Sequence, residues 1–187
     1  MRFLVFDDMA QCTDEEVSRM LPLVSEQRRE QALKFKFTFG RFACLKSFLM
    51  LQELLHLPAE DMVFSYNDHG KPSLPPEVCR QHFSISHCKE GIAVCVDSNP
   101  IGIDIESIRE TDEALIKKTM NADEQKIIFQ SASPAETFIV YWTKKEAVLK
   151  LRGTGIIDNL HNVINGNETI ETHIRREKHY VFSIAKP

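Results

Sequence analysis

Apolar and polar positions along the chain fall into short alternating runs separated by longer stretches of helical spacing. Residues 2–7 read as a strand, and apolar positions recurring every three or four residues predict helices over 14–20, 25–35 and 39–55. The segment from Phe39 to Leu55 is strongly apolar, which predicts a helix packed inside the core, and Pro58 closes it. A strand-like run at 62–66 leads into Asn67-Asp68-His69-Gly70-Lys71-Pro72, a turn by its Asn, Asp, Gly and Pro content. Strands at 82–86 and 91–97 flank a turn at Cys88-Lys89-Glu90-Gly91. The second half repeats this order, with a strand at 101–106, helices at 112–119, 123–131 and 134–151, and strands at 161–165, 168–175 and 179–185. Asn165-Gly166-Asn167 is a hairpin signal between the first two of those last strands. There is no residue-level repeat, yet each half reads strand, helices, strands. The fold class expected is α+β, with two similar lobes at 1–98 and 99–187 joined near Asp97-Ser98-Asn99-Pro100 and a cleft between them for any site.

Two stretches of the second half carry chemistry. In Gly102-Ile103-Asp104-Ile105-Glu106 the alternation of side chains across a strand puts both carboxylates on one face, where they can share a cation. In Trp142-Thr143-Lys144-Lys145-Glu146-Ala147-Val148-Leu149-Lys150 the helical period puts Glu146 and Lys150 one turn apart on a common face. Three carboxylates and a lysine make a hard, oxygen-rich site suited to magnesium and a phosphate ligand.

Composition narrows this reading only slightly. The 187 residues carry ordinary apolar (43%) and charged (27%) fractions, and a net charge of −4 argues against nucleic acid as the main partner. No apolar run is long enough to span a membrane, and the start is acidic by Asp7, unlike a signal peptide. Five cysteines lie scattered without a Cys-x-x-Cys pair, which argues against a disulfide framework or zinc and for the cytoplasm.

The two stretches together resemble the signature pair of 4′-phosphopantetheinyl transferases. Gly70-Lys71-Pro72 and Phe83-Ser84-Ile85-Ser86-His87 match two further motifs of that family in order, so the resemblance runs from about Ser25 to Gly155. Chain length resembles the single-chain, pseudo-dimeric surfactin-synthetase-activator type. The resemblance implies an enzyme that moves the phosphopantetheine arm of coenzyme A to a serine of an apo acyl or peptidyl carrier protein, releasing adenosine 3′,5′-bisphosphate. It implies Mg2+ (or Mn2+) on Asp104, Glu106 and Glu146, with Glu146, Lys150 and Asp104 as the catalytic set. Lys145 and Lys150 would meet the pyrophosphate, Gly70, Lys71 and Pro72 the adenine, and Ser86, His87 and Arg41 the 3′-phosphate. Ahead of Arg41 the chain departs from the family, with Arg28 where a lysine is common and Gln31 where another lysine stands. A monomer without nucleic-acid or membrane partners is expected.

Each residue also has a plainer reading. Glu146–Lys150 alone is an ordinary helix ion pair, Asp104 and Glu106 a solvated strand end, and Lys71 part of a turn. Trp142 and Phe138 read as core, and Arg175-Arg176-Glu177-Lys178 as a charged hairpin tip. Two other functions compete. A metal-dependent nuclease or phosphohydrolase would use similar residues, but nucleases of the restriction type keep acid and lysine two apart on a strand rather than four apart on a helix. A non-catalytic binding module of the same fold is disfavoured because all three candidate ligands and Lys150 are intact.

Overall fold

The computed structural model describes residues 1–157 and 159–187. A strand β1 (Arg2–Phe6) is followed by helices α1 (Asp14–Met20), α2 (Glu26–Leu33) and α3 (Thr38–Leu55). Two short strands, β2 (Ser65–Tyr66) and β3 (Pro72–Ser73), flank the 67–71 turn, and β4 (His82–Cys88) and β5 (Gly91–Asp97) form a hairpin. The second half runs β6 (Gly102–Ser107), α4 (Glu113–Thr119), α5 (Ala122–Gln130), α6 (Pro134–Arg152), β7 (Thr169–Arg175) and β8 (Tyr180–Lys186). The fold is a mixed one of helices and small antiparallel sheets. Each half has a three-stranded sheet in which the first strand pairs with the last and the middle one lies at the edge, β1-β5-β4 and β6-β8-β7.

Local chemistry sets the element ends. Thr13, Ser25, Asp112 and Asn121 accept a backbone N–H of the first turn of α1, α2, α4 and α5, and Glu124 completes a capping box with Asn121. His56 and Gly153 end α3 and α6 in the left-handed region. The core follows from alternation along β5. Ile92, Val94 and Val96 pack with Phe42, Phe48 and Leu51 of α3, whereas Ala93 and Cys95 join Ile101, Ile103, Ile105, Phe182 and Ile184 in a second cluster. That second cluster crosses the expected boundary at 98/99. No helix among the described residues is long and apolar enough to cross a membrane.

Three expected elements come out differently. The 62–66 run is a strand only at Ser65–Tyr66, and the helix expected over 25–35 stops at Leu33. Residues 161–165 form no strand. Leu160 and Val163 are buried there as plugs against α6 and β8, so their apolar character marks packing, not strand alternation. Asn165-Gly166-Asn167 is therefore a turn leading into β7 and not a hairpin, with Asn167 N–H donating to Asn165 Oδ1 at 3.2 Å. The hairpin tip lies at Arg176–Lys178, where Arg176 forms a two-bonded ion pair with Glu136 at 2.7 and 2.8 Å.

Candidate active site

The candidate site lies where β4, β6 and α6 meet. Gly102 makes the meeting possible: a Cβ there would stand 2.0 Å from the Ala147 carbonyl oxygen and 2.4 Å from the Leu151 nitrogen. With only hydrogen at that position, α6 seats directly on β6 and carries Glu146 and Lys150 over Asp104 and Glu106. β4 and β6 are joined by side chains, since Ile103 N–H donates to Ser84 Oγ and Ile105 N–H to Ser86 Oγ at 3.1 and 3.3 Å.

The polar centre is a small network. Lys150 Nζ donates to Asp104 Oδ1 and to Ser86 Oγ, both at 2.7 Å, and Ser86 Oγ donates to Asp104 Oδ1 at 2.9 Å. Asp104 Oδ2 and Glu146 Oε1 are buried with no hydrogen-bond partner. Burial, then repulsion from Asp104, pushes the Glu146 carboxyl up to about 7, and the same two causes raise Glu106. The acids line a cleft of about 330 Å³, with Trp142 and Ile156 on its walls.

Among the described residues, no three His, Cys, Asp or Glu side chains converge into a ready-made metal cage. The donor set nevertheless fits a hard divalent ion: three carboxylates and two orphaned buried oxygens, for an ion that takes one or two carboxylates and completes its shell with water and substrate phosphates.

Two further cavities adjoin. One of about 280 Å³ shares Glu146 and Lys150 and is closed by His69, Gly70, Lys71 and Pro72. The turn is built around Asn67, whose Oδ1 accepts the N–H groups of His69 and Lys71 at 3.0 and 2.8 Å while Gly70 takes φ +79°. The Lys71 ammonium does not face the cavity. It donates to the Lys150 and Leu151 carbonyls at 2.6 and 3.1 Å and so caps α6. The end of α6 thus engages the Lys71 ammonium, a contact that the turn reading of this residue did not include.

The other cavity, about 250 Å³, has Arg28, Gln31, Tyr66, Gly70 and His87 on its walls. Arg28 is 6% exposed, stacked on Phe48 and Phe64, with Nη1 donating to Gln31 Oε1 at 3.2 Å and Nε unpartnered. Among the described residues no carboxylate pairs with it. A buried guanidinium without an anion is costly, so this wall suits an anionic group. His87 stands at the mouth, edge-on to Phe39, with its pKa lowered by desolvation and by Lys150.

Three expected residues stand elsewhere. Lys145 is 1% exposed and donates to Glu124 Oε2, Thr119 O and Leu160 O at 2.6, 3.0 and 2.8 Å, because one residue before Glu146 is a third of a turn round the helix and faces α5. Ser86 belongs to the Asp104–Lys150 network and not to the Arg28 cavity. Arg41 donates from Nε to the Phe35 carbonyl at 2.9 Å and lines neither cavity. Trp142, expected as core, also faces the cleft.

Residues 100–185 match the family model of the 4′-phosphopantetheinyl transferase superfamily. The chain is 32% identical over 148 residues to the 4′-phosphopantetheinyl transferase psf-1 of Bacillus pumilus, covering 76% of this chain and 63% of that protein. It is 26% identical over 171 residues to the transferase gsp of Aneurinibacillus migulanus, covering 88% and 71% respectively. To Sfp of Bacillus subtilis it is 27% identical over 150 residues, covering 77% and 66%. The chain therefore spans under two thirds of psf-1 and about two thirds of Sfp.

Proposed function

We propose that the chain, whose residues 100–185 match the 4′-phosphopantetheinyl transferase superfamily model and which is similar to psf-1 over 148 residues, is a member of that superfamily and transfers the 4′-phosphopantetheine group of coenzyme A to a serine hydroxyl of an apo acyl or peptidyl carrier protein. The observation that carries the reading is the cluster of Asp104, Glu106, Glu146 and Lys150 around two orphaned carboxylate oxygens, at one end of a cleft continuous with the 69–72 turn.

The serine oxygen forms a bond to the phosphorus nearest the pantetheine, and the bond from that phosphorus to the bridging oxygen of adenosine 3′,5′-bisphosphate breaks. Asp104, Glu106 and Glu146 would hold Mg2+, or Mn2+, which when bound neutralises pyrophosphate charge. Glu146, or a water it positions, accepts the serine proton. Lys150 stabilises charge on the departing bisphosphate. The 69–72 turn receives the adenine. Arg28 and His87 receive the 3′-phosphate, a role supported by the buried, unpaired guanidinium. Lys145 acts through packing, and Arg41, on α3, through its hold on the Phe35 carbonyl ahead of the helix.

The two α+β lobes, 1–98 and 99–187, form a pseudo-dimer in this reading, supported by a shared order of a strand, three helices and a closing strand pair, to which the first half adds the short pair β2 and β3, and by equal connectivity of the two three-stranded sheets. The chain acts as a cytoplasmic monomer without nucleic acid. A rim suited to an acidic carrier is offered by residues 34–37, where Lys34 and Lys36 alternate with exposed Phe35 and Phe37 beside the Arg28 cavity.

Intact mass measurement tests the reaction. An apo acyl carrier protein and an apo peptidyl carrier domain, incubated with the protein, coenzyme A and Mg2+, should each gain one phosphopantetheine, and EDTA should block the gain. A chain that leaves both carriers unmodified sinks the proposal. His87→Ala should raise KM for coenzyme A more than it lowers kcat, because the 3′-phosphate lies away from the reacting phosphorus. An unchanged KM would remove His87 from that role.

A further inference from the structure

The acid cluster already contains a cation of its own. Lys150 places its ammonium 2.7 Å from Asp104 Oδ1 and from Ser86 Oγ, while Ser86 donates to the same Asp104 oxygen. Of the other lysines near the cleft, Lys71 caps α6 and Lys145 is sealed against Glu124, so neither ammonium reaches the acids. The seat is only half filled, since Asp104 Oδ2 and Glu146 Oε1 face no donor. The Lys150 side chain is 30% exposed, on a flexible four-carbon stem, so it is free to leave when a more strongly charged partner arrives.

We propose that Lys150 is a built-in competitor for the divalent ion: in the unliganded protein it occupies the cation seat at Asp104, and the ion loads fully only once a polyanion draws the lysine away. The proposal rests on the reading of the cleft as a divalent-cation site and goes beyond it, because it assigns Lys150 a second post before any substrate is bound. An ammonium and a divalent ion sharing one carboxylate oxygen would stand only a few ångströms apart, where their repulsion is strong even in a partly hydrated site. Coenzyme A carries the pyrophosphate that relieves this repulsion on both sides. Ion and coenzyme therefore bind as a pair, which keeps the empty enzyme from holding a metal in an open cleft.

Mn2+ alone serves as the probe, with no coenzyme A and no carrier present. Trp142, the only tryptophan of the chain, lines the same cleft, so quenching of its fluorescence by Mn2+ reports occupancy directly, and electron paramagnetic resonance of free Mn2+ counts the ions bound. Lys150→Met, which removes the charge and keeps the length, should bind Mn2+ about tenfold more tightly than the wild type or better. Lys150→Arg, which keeps the charge, should stay within about threefold of it. Equal or weaker binding by Lys150→Met would overturn the proposal and make the lysine an organiser of the metal site. Should Lys150→Met fail to fold, Ser86→Ala removes the second anchor of the ammonium, and unchanged or weakened Mn2+ binding there would overturn the proposal equally. Because transfer is not measured, this failure is distinct from a failure of the transferase reading.

Discussion

Glu146→Gln is expected to reduce transfer by at least about 10³-fold and, at the same time, to make the metal-free protein harder to unfold above neutral pH. The first effect combines the loss of a general base, which contributes about 10²- to 10⁴-fold on its own, with the loss of a cation ligand. The second follows from the strain on the carboxylate. Burial and the Asp104 charge raise Glu146 from its ordinary 4.5 to about 7 in the folded protein. The folded state therefore holds its proton more tightly than the unfolded chain does. Stability from this group is intact below about pH 4.5, falls as pH rises through the window up to about 7, and stays lost above it. Glutamine keeps the shape without the charge, so it recovers that stability at pH 8 and little at pH 5. Because the group is only partly buried, solvent screening reduces the gain to about 1 kcal/mol. Calorimetry in EDTA at the two pH values checks this. A variant no more stable than wild type at pH 8 would show that Glu146 is not a strained carboxylate, and one that still transfers at near-native rate would remove it from the reaction. Asp104→Ala should match the loss of transfer.

The site was legible in the sequence where it depends on local periods. Alternation along 101–106 was enough to put Asp104 and Glu106 on one face, and a helical turn was enough to align Glu146 with Lys150. What depends on long-range packing was hidden. Lys145 and Glu146 are neighbours in one motif, yet the helix turns the first toward Glu124 and the second toward the cleft. Ser86 reads as a phosphate contact beside His87, but β4 hands its hydroxyl across to β6, and no local pattern records that. Nothing local records that Phe48 and Phe64, far along the chain, cover Arg28. Lys71 is similar, since its partners are carbonyls some eighty residues away. The strand expected at 161–165 failed because apolar residues that plug a turn and those that alternate on a strand look alike over five positions.

Gly102→Ala tests the joint on which the whole arrangement depends, and its expected effect is on both stability and transfer. The methyl group would meet the Ala147 oxygen at 2.0 Å, the Leu151 nitrogen at 2.4 Å and the Leu151 Cα at 3.0 Å. All three are backbone atoms inside α6, so no side chain can rotate to make room, and the helix must lift from β6 or the strand must bow. Overpacking of a tight core contact costs about 1–3 kcal/mol, and a clash with helix backbone belongs at or above the upper end. For a chain of this size about 3 kcal/mol corresponds to a drop in Tm of roughly 6–12 °C. Transfer should fall further than stability suggests, by about 10²-fold, because Asp104 sits two residues along the strand while Glu146 and Lys150 ride on the displaced helix. Gly70→Ala is the informative contrast: its φ of +79° disfavours a side chain, but nothing lies within 4 Å of the added carbon. Its penalty should be about 1 kcal/mol, with the acid cluster undisturbed. Thermal denaturation of both variants beside single-turnover transfer separates the outcomes. A Gly102→Ala protein with near-native Tm and rate would mean that α6 and β6 separate without consequence, and that the distance between the two signature stretches does not set the chemistry.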